Sequence, residues 1–133
     1  MAKTIRYLLL VFAGLLIIVL CSTIQKTIPP STGEYHFSSF LKNNYTILTA
    51  IIFFIAGILI GYYLHLNPWL SGICLVLVFY ITAIIESIVY RGSHNLIPFE
   101  FIMYFIFALP SIAGSYAGRL VFRGLVKRKN RIN

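Results

Sequence analysis

Four long runs of apolar residues follow one another along the chain. They cover about residues 7–23, 45–64, 69–90 and 98–122. Because a helix needs about 20 apolar residues to cross the hydrocarbon core of a bilayer, each run is long enough to span it. None of the runs alternates apolar and polar residues, as the strands of membrane barrels do. The pattern predicts an all-α polytopic membrane protein, a single domain over 1–133 with four transmembrane helices arranged as two antiparallel hairpins.

The longest connection, residues 26–44, joins the first two runs. It contains the turn-forming stretch Pro29-Pro30-Ser31 and an apolar stretch from Phe37 to Phe40. Its size suits either a short amphipathic lid or a loop that binds a partner, and no residue in it decides between the two.

Basic residues are divided unevenly between the two ends of the predicted helices. Four spans place both termini on one side, which holds eight of the 11 Lys and Arg residues: Lys3, Arg6, Arg119, Arg123, Lys127, Arg128, Lys129 and Arg131. The opposite side holds three: Lys26, Lys42 and Arg91. Cytoplasmic connections carry the excess of Lys and Arg, so we predict cytoplasmic termini and a location in the bacterial inner membrane. The first run resembles a secretory signal but lacks a convincing cleavage site, so we expect it to be retained.

The composition excludes several classes of protein. Apolar residues make up 59% of the chain and charged residues 11%, against about 45–50% and about 25% in ordinary soluble domains. A soluble core of this size cannot bury so much apolar surface, which excludes a soluble enzyme domain and a disordered chain. Cys21 and Cys74 are expected at different depths, and no C-x-x-C motif is present, so we predict packing residues rather than a disulfide.

Small residues mark the faces through which the spans are expected to pack. The second span carries Gly57-x-x-x-Gly61 and the fourth carries Gly114-x-x-x-Gly118. Helices in lipid associate where small residues let their backbones approach closely, so we predict that these two spans form the tight seam of the bundle. The matching positions of the two motifs reflect either a duplicated hairpin or chance in an Ile-, Ala- and Gly-rich background.

Pro110 lies in the middle of the fourth span. It removes one backbone hydrogen bond and clashes with the carbonyl four residues back, which predicts a kink near Ile106. One interpretation is a broken helix that exposes backbone groups to a transported ion. The other is a tolerated kink that leans the end of the span onto a neighbour.

The densest polar cluster combines two acids with a short connection. Glu86 lies about one turn from the end of the third span and Glu100 opens the fourth, while Arg91 and His94 lie between them. Charge within a membrane is costly and marks a functional hypothesis. Either Arg91 neutralises a carboxylate and holds the hairpin, or a carboxylate stays partly unpaired and handles protons or a cation. Metal binding by the two acids and His94 is the third interpretation, although the spacing fits no familiar metal motif.

The basic end of the chain, 123–133 together with Arg119, is expected to anchor the topology. Arg119, Arg123 and Lys127 recur every four residues, and Arg128, Lys129 and Arg131 follow them. A continued helix would place the first three on one stripe at the inner surface, where each charge near anionic lipid contributes about 1 kcal/mol. Binding of lipid headgroups is the alternative role, and nucleic-acid binding is not expected.

Three functions remain open, and no family is recognised. The first is a subunit of a homo-oligomeric transporter or channel for ions or small solutes. The second is a non-catalytic accessory, regulatory or immunity-type protein that binds a larger membrane partner through its small-residue faces. The third and most distant is a membrane enzyme that would use Glu86, Glu100 and His94 on a lipid substrate. The chain has no Asp and no phosphate-binding Gly-rich loop, so we expect no cofactor, no metal and no catalytic residues.

Overall fold

The protein is a bundle of helices. The structure, a computed structural model, describes residues 3–26, 36–89 and 97–132. These residues form five helices: α1 Lys3–Gln25, α2 His36–Asn44, α3 Ile47–Tyr63, α4 Pro68–Val89 and α5 Ile97–Ile132. The part of the chain that the structure describes is helical apart from short turns, which confirms the predicted all-α class.

Three of the helices are long and apolar enough to cross a membrane. They are α1, α4 and the part of α5 from Pro98 to Leu125. The second predicted span, 45–64, corresponds to α3, which forms a bent pair with α2: the two helices meet at 82° across a short break. Helix α3 alone has 17 residues, slightly fewer than the about 20 that a straight span needs.

The structure differs from the predicted span boundaries at two places. Helix α2 lies in the connection 26–44, where no helix is predicted. Polar residues are mixed with apolar ones in this helix, so it does not stand out as an apolar run. Helix α5 continues to Ile132, so the basic segment 123–132 extends the last helix. Lys and Arg are good helix formers and no proline follows Pro110, so nothing in that segment ends the helix.

The long helices pack in the order α1, α4, α5, α3. Helices α3 and α5 make the most extensive contact, followed by α4 with α5 and α1 with α4, whereas α1 and α3 touch little. Helices α1 and α4 run in one direction, and α3 and α5 run in the other. One end of the bundle therefore carries the N-terminus of α1, the turn after α3 and the C-terminus of α5, and the other end carries α2.

The closest approach in the bundle is between α3 and α5. A Cβ atom added to Gly57 would collide with the carbonyl oxygen of Ser111. One added to Gly114 would collide with the carbonyl oxygen of Phe54. The backbones of the two parallel helices thus meet directly, so the glycines are required here by the lack of space for any side chain.

The same contact is repeated one turn further along both helices. Gly61 lies against the carbonyl oxygen of Ser115, and Gly118 lies against that of Ile58. Each glycine of α3 and its counterpart in α5 are 57 residues apart, and so are the carbonyls that they touch. Two parallel helices with one G-x-x-x-G each pack in this symmetric way whatever their origin, so the symmetry does not require a duplication.

Helix α4 is joined to its neighbours by glycines that the motif search does not single out. Gly72 lies against Ile112 of α5, and Gly14 of α1 lies against the backbone of Leu75. Each of these glycines stands alone in its helix rather than in a G-x-x-x-G pair, which is why sequence spacing does not reveal them.

Helix α5 runs through Pro110 without interruption. The helix is therefore not divided into two halves, which removes the interpretation of Pro110 as the break of a discontinuous transporter helix. The proline still supplies no amide N–H to the carbonyl of Ile106, and a kink at that point stays a prediction.

Candidate functional site

The candidate site lies under α2, the short helix that covers one end of the bundle. The corner between α2 and α3 is held by hydrogen bonds. The Thr49 hydroxyl donates to the backbone oxygen of Asn44 over 2.7 Å, and the Thr46 side chain caps α3 by accepting from the Thr49 amide. A hydroxyl at the N-cap satisfies an amide that has no partner within the helix, which fixes where α3 begins.

Helix α2 turns one face towards the bundle. Ser38 and Leu41 are buried, with 1% and 4% of their surface exposed, whereas Phe37 is 63% exposed. Positions three apart share a face of a helix, so this spacing places the polar Ser38 side chain inside the bundle end. The position of α2 is thus set by an apolar contact at Leu41 and by polar contacts on both sides of it.

The first polar contact joins α2 to Glu86 of α4. One carboxylate oxygen of Glu86, Oε1, accepts hydrogen bonds from the backbone amides of Phe37 at 2.7 Å and Ser38 at 3.1 Å. The amides of a first helical turn have no partner within their own helix, and the helix dipole favours a negative charge there. Glu86 therefore acts as the cap of α2 from a distant part of the chain, and it is only 4% exposed.

The second polar contact is an ion pair at the other end of α2. The Lys42 ammonium lies 2.7 Å from Oε1 of Glu100 in the first turn of α5, and both side chains are mostly buried. Lys42 also lies in the last turn of α2, where the helix dipole favours a positive charge. The two acids thus hold the two ends of α2.

Each carboxylate has a second oxygen that is buried and has no hydrogen-bond partner among the described residues. The same is true of two hydroxyls, so the four atoms are Glu86 Oε2, Glu100 Oε2, Ser38 Oγ and the Tyr104 hydroxyl. Leaving a buried polar group without a partner costs about 1–3 kcal/mol, and more when it is charged. Each of these four atoms can therefore form a further hydrogen bond with a bound ligand or ion.

These atoms belong to one site. The Tyr104 phenol lies within electrostatic reach of both carboxylates and close to Glu100, without forming a hydrogen bond of good geometry. Ser38 is tied to Glu86 through its own amide. Tyr104, a residue of α5, is 0% exposed, and α2 supplies the hydrogen-bond and ion-pair partners of both acids.

Aromatic side chains close the bundle beneath the site. Tyr45 stacks on Phe107 with ring centroids 4.0 Å apart, and its hydroxyl donates to the Phe107 carbonyl oxygen over 2.6 Å. Phe79 lies 5.5 Å from both Tyr104 and Phe107. Phe53 and Phe79 are fully buried, so this aromatic layer separates the polar site from the rest of the bundle.

The structure places two of the four residues of the predicted polar cluster against the same helix. Glu86 contacts the start of α2 and Glu100 its end, whereas Arg91 and His94 lie outside the described residues, so their contacts with the acids stay predictions. A cation does pair with Glu100, but it is Lys42, which lies 58 positions earlier in the chain. Only the fold of α2 across the bundle end brings this lysine to the acid.

Sequence reasoning also missed Ser38 and Tyr104. A hydroxyl in a predicted span is common, and its spacing does not show whether it has a partner. The sequence does contain a signal for a helix over 36–44: Leu41 lies three residues after Ser38, and Tyr45 lies four after Leu41, which is the spacing of one helix face.

The remaining predicted residues lie away from this site. Gly57, Gly61, Gly114 and Gly118 form the α3–α5 contact. Arg119, Arg123 and Lys127 follow along the last part of α5, with Arg123 and Lys127 exposed to the outside of the bundle. Arg128, Lys129 and Arg131 belong to the same helix. Over the described side chains, no group of three His, Cys, Asp or Glu residues could hold a metal ion.

Comparisons with protein-family models, with curated proteins and with solved structures find no match to this chain.

Proposed function

We propose that the protein is a subunit of an oligomeric transporter in the bacterial inner membrane, and that it binds one proton or one small monovalent cation at Glu86 and Glu100. In this proposal α1, the bent pair α2–α3, α4 and α5 are four spans. Both termini lie in the cytoplasm because eight of the 11 basic residues are at that end. The site under α2 then faces the outer surface.

The observation that carries the proposal is the free oxygen of the buried Glu86 carboxylate. Its Oε1 is used by α2, but its Oε2 is buried without a partner. A carboxylate taken out of water is stable only when it is paired, hydrogen-bonded or protonated. A proton or a cation at this oxygen supplies what the described chain does not.

The charge of the described side chains sets the stoichiometry. Glu86 and Glu100 contribute two negative charges, and Lys42 contributes one positive charge. One further positive charge balances these described groups. If neither Arg91 nor His94 supplies it, the balance favours a proton or a monovalent cation over a divalent metal. The Tyr104 hydroxyl adds a neutral oxygen ligand or a hydrogen-bond donor next to Glu100.

The layers above and below the site favour a transporter over an open channel. Helix α2 covers the acids on the outer side, and the aromatic layer with Phe53 and Phe79 closes the bundle on the inner side. In this proposal an ion reaches or leaves the site when one of these layers moves, as in an alternating-access mechanism.

The packing disfavours the second candidate, an accessory protein that binds a larger partner through its small-residue faces. The glycines of both G-x-x-x-G motifs are covered by the chain itself, so these faces are not available to a partner. The same fact means that a homo-oligomer has to form through other surfaces, such as the outer face of α1.

Flux measurements in proteoliposomes test the proposal. The purified protein is reconstituted with a pH-sensitive dye inside the vesicles, and proton, Na⁺ and K⁺ gradients are imposed in turn. We expect the wild type to dissipate at least one gradient, and Glu86→Gln to abolish this flux because the amide cannot exchange a proton or bind a cation strongly. Ser87→Ala is the matched control, since it changes the neighbouring residue, whose hydroxyl donates only to its own helix at Ile84.

A purely structural role for the acids predicts a different pattern. In that case Glu86→Gln and Glu100→Gln lower the melting temperature in detergent but leave flux or binding at the wild-type level, and the proposal fails. The topology is tested separately by cysteine labelling at Asn130 in a variant that lacks Cys21 and Cys74. Labelling only from outside the cell would contradict the cytoplasmic placement of the termini.

A further inference from the structure

A groove runs between α1 and α3 at the end of the bundle opposite α2. It has a volume of about 450 Å³ and is lined by residues from the start of α1 and the end of α3: Arg6, Leu9, Leu10, Ala13, Tyr63 and Leu64. Leu9 and Tyr63 are 52% and 69% exposed, so the groove is open to the side of the bundle. Its walls are mostly aliphatic, and it has one charged group, the guanidinium of Arg6.

The groove lies between α1 and α3 because each of these helices packs closely against a different neighbour. Helix α3 is held against α5 through Gly57 and Gly61, and α1 is held against α4 through Gly14. Helices α1 and α3 are consequently the pair of neighbouring long helices with the least contact around the bundle. The gap between α1 and α3 therefore follows from the close α3–α5 and α1–α4 contacts.

Among the described residues, Arg6 has no acidic partner. The two acids that the structure describes, Glu86 and Glu100, both contact α2 at the other end of the bundle. With a rise of about 1.5 Å per residue, the helical path from Arg6 to the end of α1 is roughly 28 Å. Among the described residues the ion pair is that of Lys42 with Glu100, and Arg6 takes part in no hydrogen bond or ion pair.

We infer that this groove binds a phospholipid, with the phosphate at Arg6 and an acyl chain along Leu9, Leu10 and Ala13. A guanidinium binds phosphate through two parallel hydrogen bonds, and the aliphatic walls match an acyl chain. The Tyr63 phenol lies at the rim, a position that aromatic residues prefer at the membrane interface. The inference rests on the membrane placement in the proposed function, and it is independent of the carboxylate site.

The surroundings favour a lipid over the other occupants of such a groove. A free phosphate would use Arg6 but would make no contact with the aliphatic walls. A second copy of the chain would bring the same basic end, which has no acid to pair with Arg6. A phospholipid satisfies both the guanidinium and the walls, and an anionic headgroup such as phosphatidylglycerol adds no positive charge next to Arg6.

Lipid binding to the full chain in a non-ionic detergent tests the inference. Native mass spectrometry and thermal stability are measured with phosphatidylglycerol, with phosphatidylcholine, with diacylglycerol and with inorganic phosphate. We expect retention of one phosphatidylglycerol per chain, weaker retention of phosphatidylcholine, and no stabilisation by diacylglycerol or by phosphate. Arg6→Gln is expected to weaken phosphatidylglycerol binding about tenfold, as the loss of one charge-assisted contact predicts.

Two further variants separate the site from general electrostatic attraction. Leu9→Trp narrows the groove at an exposed position and is expected to reduce lipid retention with Arg6 intact. Arg123→Gln removes an exposed charge at the same end of the bundle and is expected to leave retention unchanged. Equal binding of phosphatidylglycerol by wild type and Arg6→Gln, or equal effects of diacylglycerol and phosphatidylglycerol, would overturn the inference. Failure of the membrane placement would be seen independently, as protein in the soluble fraction of cells without detergent.

Discussion

The α3–α5 contact and the site under α2 are built in opposite ways. In the α3–α5 contact, backbone meets backbone, and no space is left for even a methyl group at Gly57 or Gly114. Under α2, buried polar side chains meet and leave oxygens of both acids without a partner. The first region leaves no space between its helices, whereas the second contains buried polar atoms without a hydrogen-bond partner among the described residues.

The difference is clearest for the hydroxyl groups. Ser111, beside the glycine contact, donates to the carbonyl oxygens of Gly72 and Ala108 at 3.1 and 2.8 Å, two acceptors for one hydroxyl. Ser71 lies 3.3 Å from Ser115 and 3.1 Å from the Pro68 carbonyl. The hydroxyls of Ser38 and Tyr104 are equally buried but have no such partner. Burial alone therefore does not distinguish the two regions, but hydrogen-bond satisfaction does.

The largest expected effect comes from Gly114→Leu in the α3–α5 contact. The new side chain meets the backbone of Phe54 and Ile58, which cannot move aside as a flexible side chain can. Overpacking typically costs about 1–3 kcal/mol and occasionally more, and we expect a cost at or above the upper value. Thermal unfolding in detergent measures it, together with the yield of monodisperse protein.

The matched control for this prediction is Gly124→Leu on the same helix. A Cβ atom at Gly124 meets nothing within 4 Å, and leucine is a better helix former than glycine, so stability should stay the same or rise slightly. If both variants melt like the wild type, the α3–α5 contact does not determine stability in the way that its geometry indicates.

The glycine contact could be predicted from the sequence because its signal is local. Two glycines four positions apart lie on one helix face, and the spacing of Gly57 with Gly61 identifies that face without any knowledge of the fold. The acids of the site could be found for a similar reason, since a charge in an apolar run stands out. Glu86 and Glu100 were therefore predicted as candidates.

The partners of these acids could not be predicted, because they depend on how α2 folds over the bundle. Lys42 and Ser38 belong to a stretch with mixed polarity that sequence reasoning interprets as a connection. Their contact with the acids spans between 48 and 58 positions of sequence, and no short-range pattern encodes such a pair. Whether a buried hydroxyl such as that of Tyr104 has a partner is likewise a property of the packed structure.

A smaller effect is expected when the ion pair between Lys42 and Glu100 is broken. Both side chains are mostly buried but retain some contact with the surroundings, so the coupling should exceed the about 0.2–1 kcal/mol of fully exposed pairs. A double-mutant cycle with Lys42→Met and Glu100→Gln measures it through unfolding free energies. We expect a coupling of about 1–2 kcal/mol, and a value near zero would show that Lys42 does not hold α2 through Glu100.

The smallest effect on stability is expected for Tyr104→Phe. Comparing it with Tyr45→Phe tests whether a buried hydroxyl with a hydrogen-bond partner contributes more to stability than one without. The Tyr45 hydroxyl donates to the Phe107 carbonyl over 2.6 Å, so its removal should cost about 0.5–1.5 kcal/mol, the usual net contribution of one hydrogen bond. The Tyr104 hydroxyl has no hydrogen-bond partner, so its removal should leave unfolding unchanged or raise stability. Tyr104→Phe should nevertheless weaken proton or cation binding, because it removes a group that faces both acids. A loss of stability in Tyr104→Phe as large as that in Tyr45→Phe would mean that the hydroxyl is used by the folded chain itself, and the distinction between the two regions would no longer hold.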